Sequence, residues 1–157
     1  GSNQIAVIAT ATKYATGVAT AYNAFPNTAG STRIVSPVLY SQFSPSNTLG
    51  WTSAINVQNL GSVADTVTMQ FTLDARSGQT GTYTWSKPVA ANGAVTFYLP
   101  DANPNGPPLV QGEIRPNIPA GVYGVAVVTS TSQKILAVVT NTKYANSFAT
   151  AFSGVNE

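Results

Sequence analysis

The chain is 157 residues long, with seven Lys and Arg, five Asp and Glu and neither His nor Cys, and only 8% of it is charged, against roughly 25% in an ordinary globular domain. The missing His and Cys exclude a Ser-His-Asp triad, an imidazole base, a thiolate nucleophile, disulfides and zinc or iron–sulfur sites on those ligands. A net charge of +2 from scattered cations offers no basic stripe for a nucleic-acid backbone.

The length predicts one domain, and 43% hydrophobic residues with seven Tyr, six Phe and two Trp supply a real core. Apolar runs such as 5–9 and 125–128 fall far short of the ~20 residues that span a bilayer, so no membrane insertion is expected. Thr, Val, Ala, Ser and Asn dominate while Leu, Glu and Lys are sparse, which is strand composition.

In chain order, strands are predicted at 4–10, 17–25, 32–40, 51–59, 64–73, 81–86, 94–99, 121–129, 134–141 and 147–152. Period-two alternation is clearest where Val67, Met69, Phe71 and Leu73 share one face, and where Ile55 and Val57 face away from Asn56 and Gln58. Turn residues separate the runs, as in Asn59-Leu60-Gly61 and Ala91-Asn92-Gly93. Pro37 marks its strand as an edge or a bent strand, because its missing N–H cannot serve a central ladder. No stretch keeps a helical period. The expected fold class is therefore all-β, an antiparallel sandwich.

The most informative feature is an internal repeat. Residues 4–22 (QIAVIATATKYATGVATAY) align without gaps on residues 134–152 (KILAVVTNTKYANSFATAF), 130 positions later, with nine of nineteen positions identical. Each copy reads as a strand, a polar Thr-Lys-Tyr-Ala corner and a second strand. The expected organisation is an N-terminal hairpin and linker over 1–30, homologous to the C-terminal hairpin, followed by one sandwich over 31–157. An isolated two-stranded unit is marginal in water, so the first hairpin must dock on its own module or on a neighbouring chain. The long β-branched strands carry almost no Lys or other edge protection, and bare edges recruit further chains. Head-to-tail docking of this kind generates open filaments. The docking surface expected from the repeat comprises Ile5, Val7, Tyr14, Val18, Tyr22 and Phe25 in the first copy. In the second it comprises Ile135, Val139, Tyr144, Phe148 and Phe152.

Three further segments, 50–78 (GWTSAINVQNLGSVADTVTMQFTLDARSG), 91–100 (ANGAVTFYLP) and 118–144 (IPAGVYGVAVVTSTSQKILAVVTNTKY), carry recurring motifs. These are a W-T-x-x-hydrophobic-x-V-Q-N strand, a P-x-G-x-Y-G-x-A-x-V strand and a final hairpin ending near A-x-A-aromatic. Together they resemble the immunoglobulin-like repeats of bacterial secreted and surface proteins, over residues 33 to about 152, most of the chain. The resemblance implies an immunoglobulin-like sandwich and a stalk, adhesin or filament building block at the bacterial cell surface. It carries no catalytic residues.

Chemistry-bearing constellations are few. Asp101, Asn103, Asn105 and Gly106 keep a D-x-N-x-N-G spacing suited to a hard cation such as Ca²⁺. Glu113 then falls one place beyond the closing acid, and three Pro interrupt the loop, so a plain Pro/Asn-rich loop is the favoured reading and no cofactor is required. Asp65 and Asp74 sit near strand ends, where solvated turn carboxylates are expected. Ser and Thr lack a base, and no S-x-x-K motif occurs. Trp51, Trp85, Tyr83, Phe97, Tyr98 and Tyr123 would stack on sugars if aligned on an exposed face, but core packing is the stronger expectation.

The expected function is that of a non-enzymatic extracellular structural protein. It would be a subunit of a surface filament or stalk assembled head-to-tail by strand docking, with copies of itself as partners. The alternative is an adhesin module that binds carbohydrate, with or without Ca²⁺.

Overall fold

The computed structural model describes residues 8–13, 18–23, 25, 29–44, 50–99, 109–143 and 148–156. β1 (Ile8–Lys13) and β2 (Val18–Asn23) form a two-stranded antiparallel ribbon. The strands that follow are β3 (Arg33–Ser41), β4 (Thr52–Asn59), β5 (Asp65–Leu73), β6 (Thr82–Val89) and β7 (Ala94–Tyr98). β8 (Val122–Ser130), β9 (Ile135–Lys143), β10 (Phe148–Ser153) and the two-residue β11 (Val155–Asn156) complete the chain. One sheet has the order β10-β9-β4-β7 and the other β11-β3-β8-β5-β6, with every pairing antiparallel. The chain is thus an all-β, immunoglobulin-like antiparallel sandwich with an additional N-terminal ribbon. In antibody constant domains the first strand shares a sheet with the second and the last with the sixth. Here the first long strand of the sandwich, β3, pairs with β8, and β9, the strand after β8, pairs with β4, so the pairing of these strands differs from that of antibody constant domains.

Alternation builds the core as the sequence predicts. Val67, Met69 and Phe71 are wholly buried and Leu73 nearly so, while Ile55 and Val57 are buried and Asn56 and Gln58 exposed. Trp85 of β6 and Phe97 of β7 belong to opposite sheets and meet edge to face inside the sandwich, with centroids 5.5 Å apart. Each such large side chain withdrawn from water contributes roughly 1.5–3 kcal/mol.

Two glycines of the 118–128 motif have physical reasons. Gly121 takes φ +80° in the turn before β8, a region that L side chains resist. A Cβ on Gly124 would lie 2.0 Å from the Thr72 carbonyl oxygen, so β8 reaches its hydrogen-bonding distance from β5 only with glycine there.

Two local expectations change and one holds. β6 runs on through Pro88 to Val89, because β6 is an edge strand and its outward side needs no N–H. Pro37 does bend β3, whose register to β8 shifts between Ser36 and Leu39. β11 was not predicted: two residues are too short to show any period. Its pairing with Val35 and Ile34 becomes possible because Gly154 passes so close to Ile34 that a Cβ would lie 2.2 Å from its Cγ2.

Candidate functional site

The repeat seen in the sequence is also a repeat of geometry. In the first hairpin Lys13 faces Val18, and successive pairs run to Ile8 opposite Asn23. In the second, Lys143 faces Phe148, and the pairs run to Val138 opposite Ser153. Adding 130 to each residue of one ladder gives the other, so the two hairpins have the same length and the same register.

The ribbon forms no ladder with either sheet, yet β2 lies against β10, the edge strand of the four-stranded sheet. The chain enters the sandwich on the same side. Ser31 exchanges backbone hydrogen bonds with Ile135, donating at 3.1 Å and accepting at 2.8 Å, so the residues after the ribbon are tied to the first residue of β9.

The predicted docking residues separate once placed. Ile5, Val7, Tyr14 and Tyr144 lie outside the described residues, as do Asp101, Asn103 and Asn105 of the candidate cation loop. Val18 and Tyr22 stand in β2 opposite Lys13 and Ala9, and Phe25 is half-buried just beyond it. Ile135 and Val139 are corrections: both are fully buried members of the sandwich core. The period-two pleat turns the odd-numbered residues of this part of β9 inward, so neither offers surface to a partner. Phe152 packs against the same core. Phe148, at the start of β10, is 60% exposed, so of the described residues expected in the second copy's docking surface it is the one with an exposed side chain.

Other edges are protected in ways the sequence did not display. Ser86 of β6 exchanges backbone hydrogen bonds with Ile114 at 3.0 and 2.9 Å, so residues 110–115 act as a strap over that edge. Glu113, expected in a Pro/Asn-rich loop, is what fastens the strap. Its side chain is 2% exposed. It accepts from Trp85 Nε1 at 2.8 Å, from the Val110 amide at 3.2 Å and from the Arg115 guanidinium at 3.2 Å, and lies 3.4 Å from Lys87 Nζ. Burial pushes the Glu113 carboxyl up. The Trp85 and Val110 donors and the two cations outweigh that and hold it below its ordinary value. Lys87 also lies 4.7 Å from the Trp85 ring centroid, within cation–π range. The hydrophobic seam of the sandwich therefore ends in a paired-charge cluster under the strap.

The aromatics divide similarly. Trp85 and Phe97 are core, and Tyr83 packs against it. At one end of the sandwich Tyr40, Phe43, Trp51 and Tyr123 form a half-buried quartet with centroids 4.7–6.2 Å apart. Tyr40 and Phe43 were missed in the sequence, because only the Phe43–Trp51 bridge brings the two sides of that loop together. Gly50 is required there: a Cβ would sit 2.3 Å from the Gln42 carbonyl oxygen.

No helix among the described residues is long and apolar enough to cross a membrane. No known family's sequence model matches the chain, and no curated protein matches it either. A crystal structure of the Thermotoga maritima protein designated 1070 is similar in fold, with a TM-score of 0.58 over 82% of this chain and 96% of that one, at 12% identity. That likeness concerns the sandwich, not its use.

Proposed function

We propose that the chain is a non-enzymatic structural module of a bacterial extracellular filament or stalk, assembled head-to-tail when the N-terminal hairpin of one copy docks on the β10 edge of the next. The observation that carries this reading is the duplicated hairpin, which folds twice in one register and places β2 against β10. A hairpin that seats on this edge within one chain has the chemistry to seat on the same edge of another, and that contact is heterologous and open-ended. The described acids support a non-catalytic reading, since each holds the chain together. Asp65 is caged by hydrogen bonds, Asp74 is paired with Arg76 at 2.6 Å, and Glu113 fastens the strap.

A second reading, a carbohydrate-binding adhesin module, rests on the half-buried aromatic quartet around Tyr40. Electron microscopy and light scattering of the purified chain at physiological salt separate the two. Filaments whose mass grows with protein concentration are expected. A chain that stays monomeric and binds glycans selectively on an array, with or without Ca²⁺, would overturn the structural reading.

A further inference from the structure

The β10 strand has two sides. One is consumed by its ladder to β9, so there is room for one further strand; in this chain β2 lies against β10 without forming a ladder to it. A hairpin docked from a neighbour takes the place of the chain's own, and a head-to-tail array of any length therefore leaves one β10 edge vacant at one end.

What fits that vacant edge is written in the repeat. β2 is VATAYN and β10 is FATAFS; Ala19, Thr20 and Ala21 match Ala149, Thr150 and Ala151, and Tyr22 matches Phe152. Each is backed by a strand of the same register, β1 behind β2 and β9 behind β10. To a vacant β10 edge, the β9–β10 hairpin of a second copy presents nearly the same strand that β2 presents. Neither strand carries a charge or a proline, the devices that normally keep edges apart. The other edges differ: β6 carries Lys87 and Pro88 and is strapped at Ser86, and β7 has only five residues.

We propose that a β10 edge without a β1–β2 hairpin binds the β10 edge of a second copy, and that the N-terminal hairpin is the cap that prevents this. The same surface meets itself, so the contact is isologous and closes at two copies. It does not propagate, and it joins two arrays at their vacant ends. A hairpin on this edge, the chain's own or a neighbour's, covers it. The capped chain therefore does not pair in this way. This inference rests on the reading that the β10 edge is the docking edge of the assembly.

Removing residues 1–27 tests it. The sandwich that remains folds on its own terms: β1 and β2 belong to neither sheet, and among the described residues the buried core begins at Ile34. Sedimentation of this truncated chain is expected to give a discrete species of twice the monomer mass. The double variant Phe148→Lys/Thr150→Lys in the same background, at two exposed β10 positions, is expected to return it to monomer. The full-length Thr20→Pro variant, which breaks the β1–β2 ladder at the Thr20–Ala11 pair, is expected to dimerise like the truncation and serves if the truncation does not fold. A monomeric truncated chain, or a dimer indifferent to the two lysines, overturns the inference. The head-to-tail reading would then still stand if the full-length chain forms filaments. Filaments from the truncated chain would overturn both.

Discussion

Asp65 shows how far one residue's role depends on what folds onto it. It is 7% exposed, in the first position of β5, and the β8–β9 turn closes around its carboxylate. The amides of Gln133, Ser132 and Thr66 donate at 2.8, 3.0 and 2.7 Å, the Ser130 hydroxyl at 2.9 Å, and the Thr131 hydroxyl donates as well. Burial pushes this carboxyl up, but the donors outweigh it and bring it to about 2 from 3.8. A folded-state value below the unfolded one contributes stability that is complete above the unfolded value and lost as pH falls through the folded one. Asp65→Asn should therefore lower stability at neutral pH by about 1–3 kcal/mol, the scale of a disrupted buried hydrogen-bonding group. Urea denaturation of both proteins checks this, and the gap between them should close as pH falls from about 4 to about 2. The difference between the two proteins is the diagnostic quantity, since Asp74 also titrates near 2. A turn carboxylate at a strand end was legible in the sequence. Its burial was not, because four of its five donors lie more than sixty residues away.

At the scale of elements, the sandwich is governed by its edges. Strand positions were legible nearly throughout, since alternation and turn residues are local signals. The treatment of each edge was not, because it depends on which strands finish at the rim. Glu113 is the clearest case: the sequence places it in a Pro/Asn-rich loop, one place beyond the closing acid of a cation loop, whereas its oxygens fasten a strap to β6. Glu113→Gln leaves Lys87 and Arg115 beside Trp85 without their anion, and breaking such a buried pair costs about 3–5 kcal/mol. The strap should then lift. Hydrogen exchange is expected to show the Ser86 and Ile114 amides losing protection while the β5 amides, paired on both sides, keep theirs.

For the whole molecule, the low charge takes on a spatial meaning. β2 and β10, the two strands of the proposed docking site, have no side chain of the charged types Asp, Glu, Lys or Arg, so their association would be driven by backbone pairing and apolar contact. Screening shortens the reach of charges as salt rises, and a contact without charges is insensitive to it. The mass of assemblies formed by the full-length chain should therefore stay constant by light scattering between about 0.05 M and about 0.5 M salt. A steep fall across that range would assign the contact to charged residues elsewhere.

The sequence by itself determined the all-β class, most strand positions, the inward faces of β4 and β5 and the existence of two equivalent hairpins, because each is encoded in neighbouring residues and in identities that need no coordinates. The tertiary structure decided the pairing of β3 with β8 and of β9 with β4, the burial of Ile135 and Val139, the cage around Asp65, the strap held by Glu113 and the seat of β2 beside β10. All of these join residues far apart in the chain, and hydrophobic periodicity says which face is buried but not what buries it.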